Sequence, residues 1–399
     1  MNIILFDDPV LRQQLLPFTY TRAIADIRVG ILTMAEKWRI LTVHKVSYLT
    51  DGYLAAKFGV HFTDDNYFIN GALCPTEDFI VAVLNLKEEQ AIAQNGQLLA
   101  ARTSKALSYD SWLEKKWTDF TEYFKPLHLV DRPWKIFQLN GEEIRRDYKL
   151  VTGGRVSEDI MDPFTRVYNP DDVFIEEGAS LLCATINAEN GPVYIGKNAQ
   201  IMEGAIIRGP FAMGESSVIS MGAKIRPDTT LGPYCKVGGE VSNAVFFGNS
   251  NKGHEGYVGN AVVGEWCNLG ADTNASNLKN NYANVKVWNF SEEAFIDSGL
   301  QFCGLMMGDH SKSGINTMFN TGTVVGVCAN VFGGGFPPSF VPSFSWGGAE
   351  SLTTYRPEPA LETIGKVFER RKKALDQTER KILMEVYKRS AKFRTWEKQ

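Results

Sequence analysis

Metal-ligating and disulfide-forming residues are scarce in this chain. Its six cysteines (Cys74, Cys183, Cys235, Cys267, Cys303 and Cys328) are scattered, with no C-x-x-C among them. That excludes the common zinc modules and a disulfide frame, and suits core thiols in a reducing compartment. Histidine is rare too, five in all, and only His254 and His310 fall in the repetitive region described below. An imidazole metal site across such repeats takes about three converging rings, so the metal ligands stay unknown. No basic stretch leading into a short apolar core is present, and no apolar run reaches the roughly 20 residues of a membrane span. There is no G-x-G-x-x-G and no Walker loop, so glycine spacing alone gives no phosphate cradle. A net charge of −4 and a pI near 5.9 argue against a general nucleic-acid binder. The expectation is a soluble, cytoplasmic protein with no nucleic-acid or membrane partner.

What the chain does have is a six-residue period. Ile195, Ile201, Ile207, Met213, Ile219, Ile225, Leu231 and Val237 stand six apart. The residue four places after each is mostly small, and Gly196, Gly214, Gly232 and Gly238 directly follow four of them. No α-helix repeats every six residues. One short strand plus one corner does, and such units coil into a prism whose axis takes the periodic aliphatics. The period returns at Val263 and Leu269, and again at Met307, Ser313, Phe319, Val325 and Val331. An earlier start at Ile175 and Leu181 is out of phase with Ile195, so a loop insertion is predicted between Cys183 and Val193. The rhythm also fails between Ala275 and Leu300, predicting a loop thrown out from one face.

Around this coil the pattern changes. Residues Asn2 to Phe6 read as a strand, and apolar spacing over Ile27, Ile31, Met34 and Trp38 predicts a helix from Ile27 to Trp38. Phe79–Leu84 and Trp134–Leu139 read as further strands. Strands alternating with helices point to an α/β unit. Arg22, Arg28 and Lys37 lie along its first part, either as surface charges or as phosphate ligands. Val156 to Asp172 reads as a linker, and the Gly- and Pro-rich run Phe332 to Pro342 is expected to end the coil. From Ala360 onward one apolar stripe (Ile364, Phe368, Leu375, Ile382, Val386) predicts a C-terminal helix with a basic outer face.

His254 sits in a polar, glycine-rich interruption, Asn249 to Gly259. Imidazole titrates near neutrality and can take a proton from an amine nucleophile. An exposed loop histidine without a role fits the residues equally well.

The segment His254-Glu255-Gly256-Tyr257-Val258-Gly259-Asn260-Ala261, followed by Asn268-Leu269-Gly270-Ala271-Asp272-Thr273 and Asn277, carries a resemblance. It is similar to the acetyltransferase signature of the bifunctional N-acetylglucosamine-1-phosphate uridylyltransferase / glucosamine-1-phosphate N-acetyltransferase family, and the chain looks like a divergent, shortened bacterial branch. The resemblance implies an α/β nucleotidyltransferase-like domain (residues 1–165), a left-handed parallel β-helix of hexapeptide repeats (166–345) and a C-terminal helical tail (346–399). It places His254 on the catalytic base that deprotonates the 2-amino group of glucosamine 1-phosphate. It places Tyr257 and Asn277 on sugar contacts, Arg226 on a phosphate contact, and Asn268 and Ala271 on the acetyl-CoA side. The family's second phosphate cation is Ser242 here, and Lys252 or Lys286 is a candidate replacement. Arg28 matches a catalytic lysine, Arg22 lies near a catalytic arginine, and Lys37 joins them on the substrate side.

The implied activity is acetyl transfer from acetyl-CoA to glucosamine 1-phosphate and uridylyl transfer from UTP with Mg²⁺, by a homotrimer. Two alternatives stand beside it. One is an acyltransferase on another amino sugar or nucleotide sugar, with a non-catalytic N-terminal binding domain. The other is a binding or assembly module that keeps the scaffold without turnover.

Overall fold

Three hexapeptides make one turn of the coil in this computed structural model, which describes residues 2–398. Ile195 stacks on Met213, and Met213 on Leu231, in parallel register. The inward column of this first face continues through Phe246, Val263, Met307 and Val325. A second face stacks Leu181, Ile201, Ile219 and Val237, and a third stacks Ile186, Ile207, Ile225, Val241 and Val258. These aliphatics fill one continuous core inside a parallel β-helix of about ten turns. Each contributes roughly 1.5–3 kcal/mol by burial, which is why the six-residue spacing tolerates so little variation.

Both interruptions lie where the period breaks. The first is shorter than expected: Thr185–Asn187 is a coil strand paired with Arg166–Tyr168 and Ile206–Arg208, and only residues 188–192 leave the ladder before Val193–Ile195. The second leaves the coil after Asn274–Ala275, forms the antiparallel hairpin Lys286–Asn289 with Ala294–Asp297, and returns at Met306–Met307. The Gly- and Pro-rich run does not end the coil. Phe340–Val341 still stacks on Val324–Val325, and Ser345–Gly347 on Asn330–Val331. The run is a wide corner, because the backbone resumes the ladder once past Pro338. The expected linker is likewise part of the coil, since Arg166–Tyr168 pairs with Thr185–Asn187.

The N-terminal domain is a six-stranded mixed sheet in the spatial order Val46–Leu49, Asn2–Phe6, Asn66–Asn70, Gln97–Thr103, Gln90–Gln94, Asp119–Glu122. Three elements differ from the sequence reading. Phe79–Leu84 lies in the helix Glu77–Leu84, started by the Thr76 side chain and acids in the first turn. Only Phe79 and Val83 of that helix are buried, so its other apolar residues mimicked a strand run. Trp134–Leu139 opens the long helix Lys135–Thr152. The helix expected from Ile27 begins at Met34, where Thr33 and Glu36 form a capping box. Ile27 and Ile31 instead belong to a loop held by an Arg28–Thr33 bridge.

The first face of the coil is apolar outside as well as inside. Its outward residues Val245, Val262, Met306 and Val324 are buried. They share one core with Leu15, Phe18, Ile24 and Ile27 of the N-terminal domain, and with Leu361, Ile364, Phe368, Leu383 and Val386 of the C-terminal segment. That segment is two helices, Pro357–Arg370 and Gln377–Arg389, rather than one. Further along, the helix Lys135–Thr152 lies against the same face. Asn140 accepts from Thr230 Oγ1 (3.1 Å) and donates to the Asp228 carbonyl (2.8 Å). Gly141 permits this approach, since a β-carbon there would stand 2.0 Å from an Asp228 carboxylate oxygen. The N-terminal domain and the helices thus occupy the first face, leaving exposed the corner between the second and third faces.

Candidate active site

His254 stands on that open corner. The strand Asn251–Lys252 runs along the second face and Tyr257 begins the third. The four residues between them turn the chain, with His254 and Glu255 exposed. Gly256 makes the turn possible: its φ is +111°, and a β-carbon would stand 2.2 Å from the Thr273 carbonyl oxygen.

On the second-face side lies a groove of about 640 Å³. Outward side chains of successive turns, Lys236, Asn251, Asn268 and Lys312, line one wall, and Asn251 Nδ2 donates to Asn268 Oδ1 at 2.8 Å. The end of the helix Pro357–Arg370 supplies Val367, Arg370 and Arg371 opposite. Trp266 closes the groove between them, its ring 4.4 Å from that of Phe368 and nearly parallel to that of His310. Four cationic side chains in a groove that ends at His254 suit a long cosubstrate with a phosphorylated end. Burial holds the Lys312 ammonium below its usual value, and its Nζ donates to the His310 carbonyl at 3.0 Å.

On the third-face side lies a smaller polar group. Tyr257 lies over Gly259, where a β-carbon would stand 2.2 Å from the phenol oxygen. Its hydroxyl accepts from Asn277 Nδ2 (3.0 Å), which also reaches Asn260 Oδ1 (2.7 Å). Glu240 is the register neighbour of Tyr257 and binds Arg226 Nε at 2.8 Å. Arg226 is largely exposed. Ser242 pairs with Gly259 on the same strands. The corner therefore separates a groove for a long molecule from a shallow patch with hydroxyl, amide and guanidinium groups. His254 lies where the two adjoin.

His254, Tyr257, Asn277, Arg226 and Asn268 are brought together around this corner. Ala271 is at the same corner one turn on, where its carbonyl accepts from Asn316 N, and it is not on the groove wall. Lys252 is not a substrate ligand. It occupies an inward core position beside Val237, is 1% exposed, and donates to main-chain carbonyls. The groove cations Lys236, Lys312, Arg370 and Arg371, and Trp266, were not anticipated. The first two share an outward column that aligning successive turns would have revealed.

The three N-terminal cations are already engaged within the protein. Arg22 is buried and ion-paired with Asp309 of the coil, with Glu265 3.7 Å away. Thr21 Oγ1 joins the same carboxylate at 2.6 Å. Lys37 is buried between Glu143 (2.6 Å) and Asp147 (2.7 Å). Burial opposes its charge, but those carboxylates outweigh it and hold the ammonium above its ordinary value. Arg28 donates to the carbonyls of Ile31 and Phe247 and lies 3.6 Å from Glu36. Lys37 lines a cavity of about 560 Å³, together with its partners Glu143 and Asp147. Among the described residues, no group of three or more His, Cys, Asp or Glu side chains converges to hold a metal ion. The Mg²⁺ that the resemblance implies would take one or two protein carboxylates and the phosphates of its nucleotide.

Comparison with known proteins fits this two-part build. Residues 3–156 match the sugar nucleotidyl transferase family. The chain is also similar to bifunctional nucleotidylyltransferase/acetyltransferases. It is 35% identical over 146 residues to the bifunctional sugar-1-phosphate nucleotidylyltransferase/acetyltransferase of Sulfurisphaera tokodaii, covering 36% of each chain. It is 36% identical over 106 residues to the bifunctional protein GlmU of Methanocaldococcus jannaschii, covering 26% of this chain and 25% of that one. A putative uncharacterized acetyltransferase, YaiX of Escherichia coli K12, is 30% identical over 157 residues, 39% of this chain and 63% of that one. The matched region thus spans about a third of the first of these relatives. A nucleotidyl transferase-like domain and a β-helix share one chain here.

Proposed function

We propose that this chain is a sugar-nucleotide biosynthetic enzyme whose β-helix acetylates an amino sugar phosphate from acetyl-CoA at the His254 corner. The observation that carries the reading is the placement of one imidazole between a cationic groove and a polar patch on adjoining faces. Acetyl-CoA lies in the groove, its phosphates toward Lys236, Lys312, Arg370 and Arg371 and its thioester toward His254. The sugar lies on the third face, with its phosphate at Arg226 and its hydroxyls at Tyr257 and Asn277. His254 takes a proton from the 2-amino group as the amine nitrogen attacks the thioester carbonyl. The C–N bond forms, the C–S bond breaks, and CoA leaves as a thiolate that is then protonated. Glucosamine 1-phosphate is the acceptor we favour. A panel of amino sugars read by thiol release tests this. The highest kcat/KM for glucosamine 1-phosphate supports it, and a preference for a nucleotide-linked amino sugar replaces it.

The match of residues 3–156 supports uridylyl transfer from UTP by the N-terminal domain as the second activity. The engagement of Arg22 and Lys37 in buried ion pairs favours the other reading of that half, a binding domain without turnover. Pyrophosphate release with each nucleoside triphosphate in turn separates the two. Six free thiols suit the cytoplasm, and among the described residues no helix is long and apolar enough to cross a membrane. A homotrimer is the assembly we favour. Met221 and Ile315, exposed on the same edge of the coil as His254, are apolar groups that neighbouring subunits would cover.

A further inference from the structure

The inward position of the second face is aliphatic in turn after turn: Leu181, Ile201, Ile219 and Val237 precede it, and Leu269 follows. Between Val237 and Leu269 stands Lys252, paired in register with Val237 and 1% exposed. An ammonium in an aliphatic column costs several kcal/mol unless its protons are taken up. Here they are. Nζ donates to the carbonyls of His254 (2.8 Å), Gly238 (3.0 Å) and Glu255 (3.2 Å).

These carbonyls lie inside the prism because two neighbouring corners differ in length. One turn passes from the second to the third face through Gly238 and Gly239 alone, between Val237 and Glu240. The next uses Gly253, His254, Glu255 and Gly256. The longer corner overhangs the shorter one, and the ammonium fills the gap. At Gly239 a β-carbon would stand 2.9 Å from Nζ, so there is no room for a larger residue. Burial draws Lys252 down to about 8, with Glu255 and Asp272 pulling the other way, so it keeps its proton at neutral pH.

We infer that Lys252 is a positioning residue: by pinning the carbonyls of His254 and Glu255 from inside the core, it fixes where the His254 imidazole stands relative to both substrates. This rests on the proposed acetyl transfer for its kinetic consequence, not for its geometry. Lys252 never touches substrate. It acts through the main chain of the corner, and misplacing a catalytic group by about 1 Å can cost about 10²-fold in rate.

The test is K252M in the full chain, whose side chain fills the same space without donors. Expected are a folded protein, kcat for CoA release lower by about 10–100-fold and a KM for acetyl-CoA within about twofold of the parent. In ¹H–¹³C spectra the His254 ring signal, identified by its absence in H254A, shifts or broadens while the signals of His44 and His61 stay in place. Unchanged kcat with an unchanged His254 signal overturns the inference. H254A keeps the two claims apart. Persisting CoA release in H254A sinks the acetyl-transfer reading, and the ring signal in K252M still decides the positioning. Should K252M not fold, the parent protein decides it. A slowly exchanging Lys252 ¹⁵Nζ–¹H signal, assigned through its own side-chain carbons, supports the pinning. An ammonium exchanging as fast as surface lysines contradicts it.

Discussion

The Arg22 guanidinium and the Asp309 carboxylate meet across the junction of the two domains, both buried. Thr21 Oγ1 and the main-chain N–H of Glu265 complete the shell around Asp309. Arg22 therefore fastens the N-terminal domain to the outside of the coil. D309N leaves the buried guanidinium only the more distant, partly exposed Glu265 at 3.7 Å and is expected to destabilise the fold by about 3 kcal/mol. Urea unfolding measures it. A change under about 1 kcal/mol contradicts the fastening role.

Lys37 makes a parallel case. Its two carboxylate partners, Glu143 and Asp147, come from the helix Lys135–Thr152. K37M should lower the melting temperature while leaving the KM for UTP within about twofold, since uniform binding lost at a nucleotide would raise it. A large rise in that KM in a protein of unchanged stability returns Lys37 to the substrate site.

His310 links stability to pH. Burial outweighs the nearby Asp309 and draws its imidazole down to about 3 from 6.5. Below about pH 6.5 the unfolded chain takes up a proton that the folded one refuses, so stability falls as pH drops toward 3. Between pH 7 and pH 5 this amounts to about 2 kcal/mol. H310F, with a ring that packs beside Trp266 and Phe368, should remove that part of the slope in urea titrations. An unaltered slope contradicts the assignment.

Gly256 tests the corner directly. With φ at +111° and the Thr273 carbonyl in the way, G256A should cost about 1–3 kcal/mol and reduce CoA release. Parent-like turnover and stability would mean that the corner is not held as described.

The coil was legible in the sequence because a solenoid repeats its burial demand: each inward residue meets the same neighbours, so one spacing recurs from Ile195 to Val237 and again from Met307 to Val331. The α/β half repeats nothing. Its short helix Glu77–Leu84 buries only Phe79 and Val83 and so looks like a strand, and capping at Thr33 overrides the apolar spacing that begins at Ile27. At the site, the residues of one continuous segment (His254, Tyr257, Asn268, Asn277) could be read together. Arg370 and Arg371 could not, since only the folding of a distant helix against Trp266 brings them there. Lys252 was misread because a lysine beside a polar loop looks like a surface ligand, whereas its register with Val237 turns it inward.

The most direct measurement is thiol release from acetyl-CoA with glucosamine 1-phosphate, compared between the parent and H254A. Loss of a general base predicts a fall of about 10²–10⁴-fold, with pyrophosphate release from UTP and the melting temperature unchanged. CoA release at the parental rate in folded H254A would contradict the account.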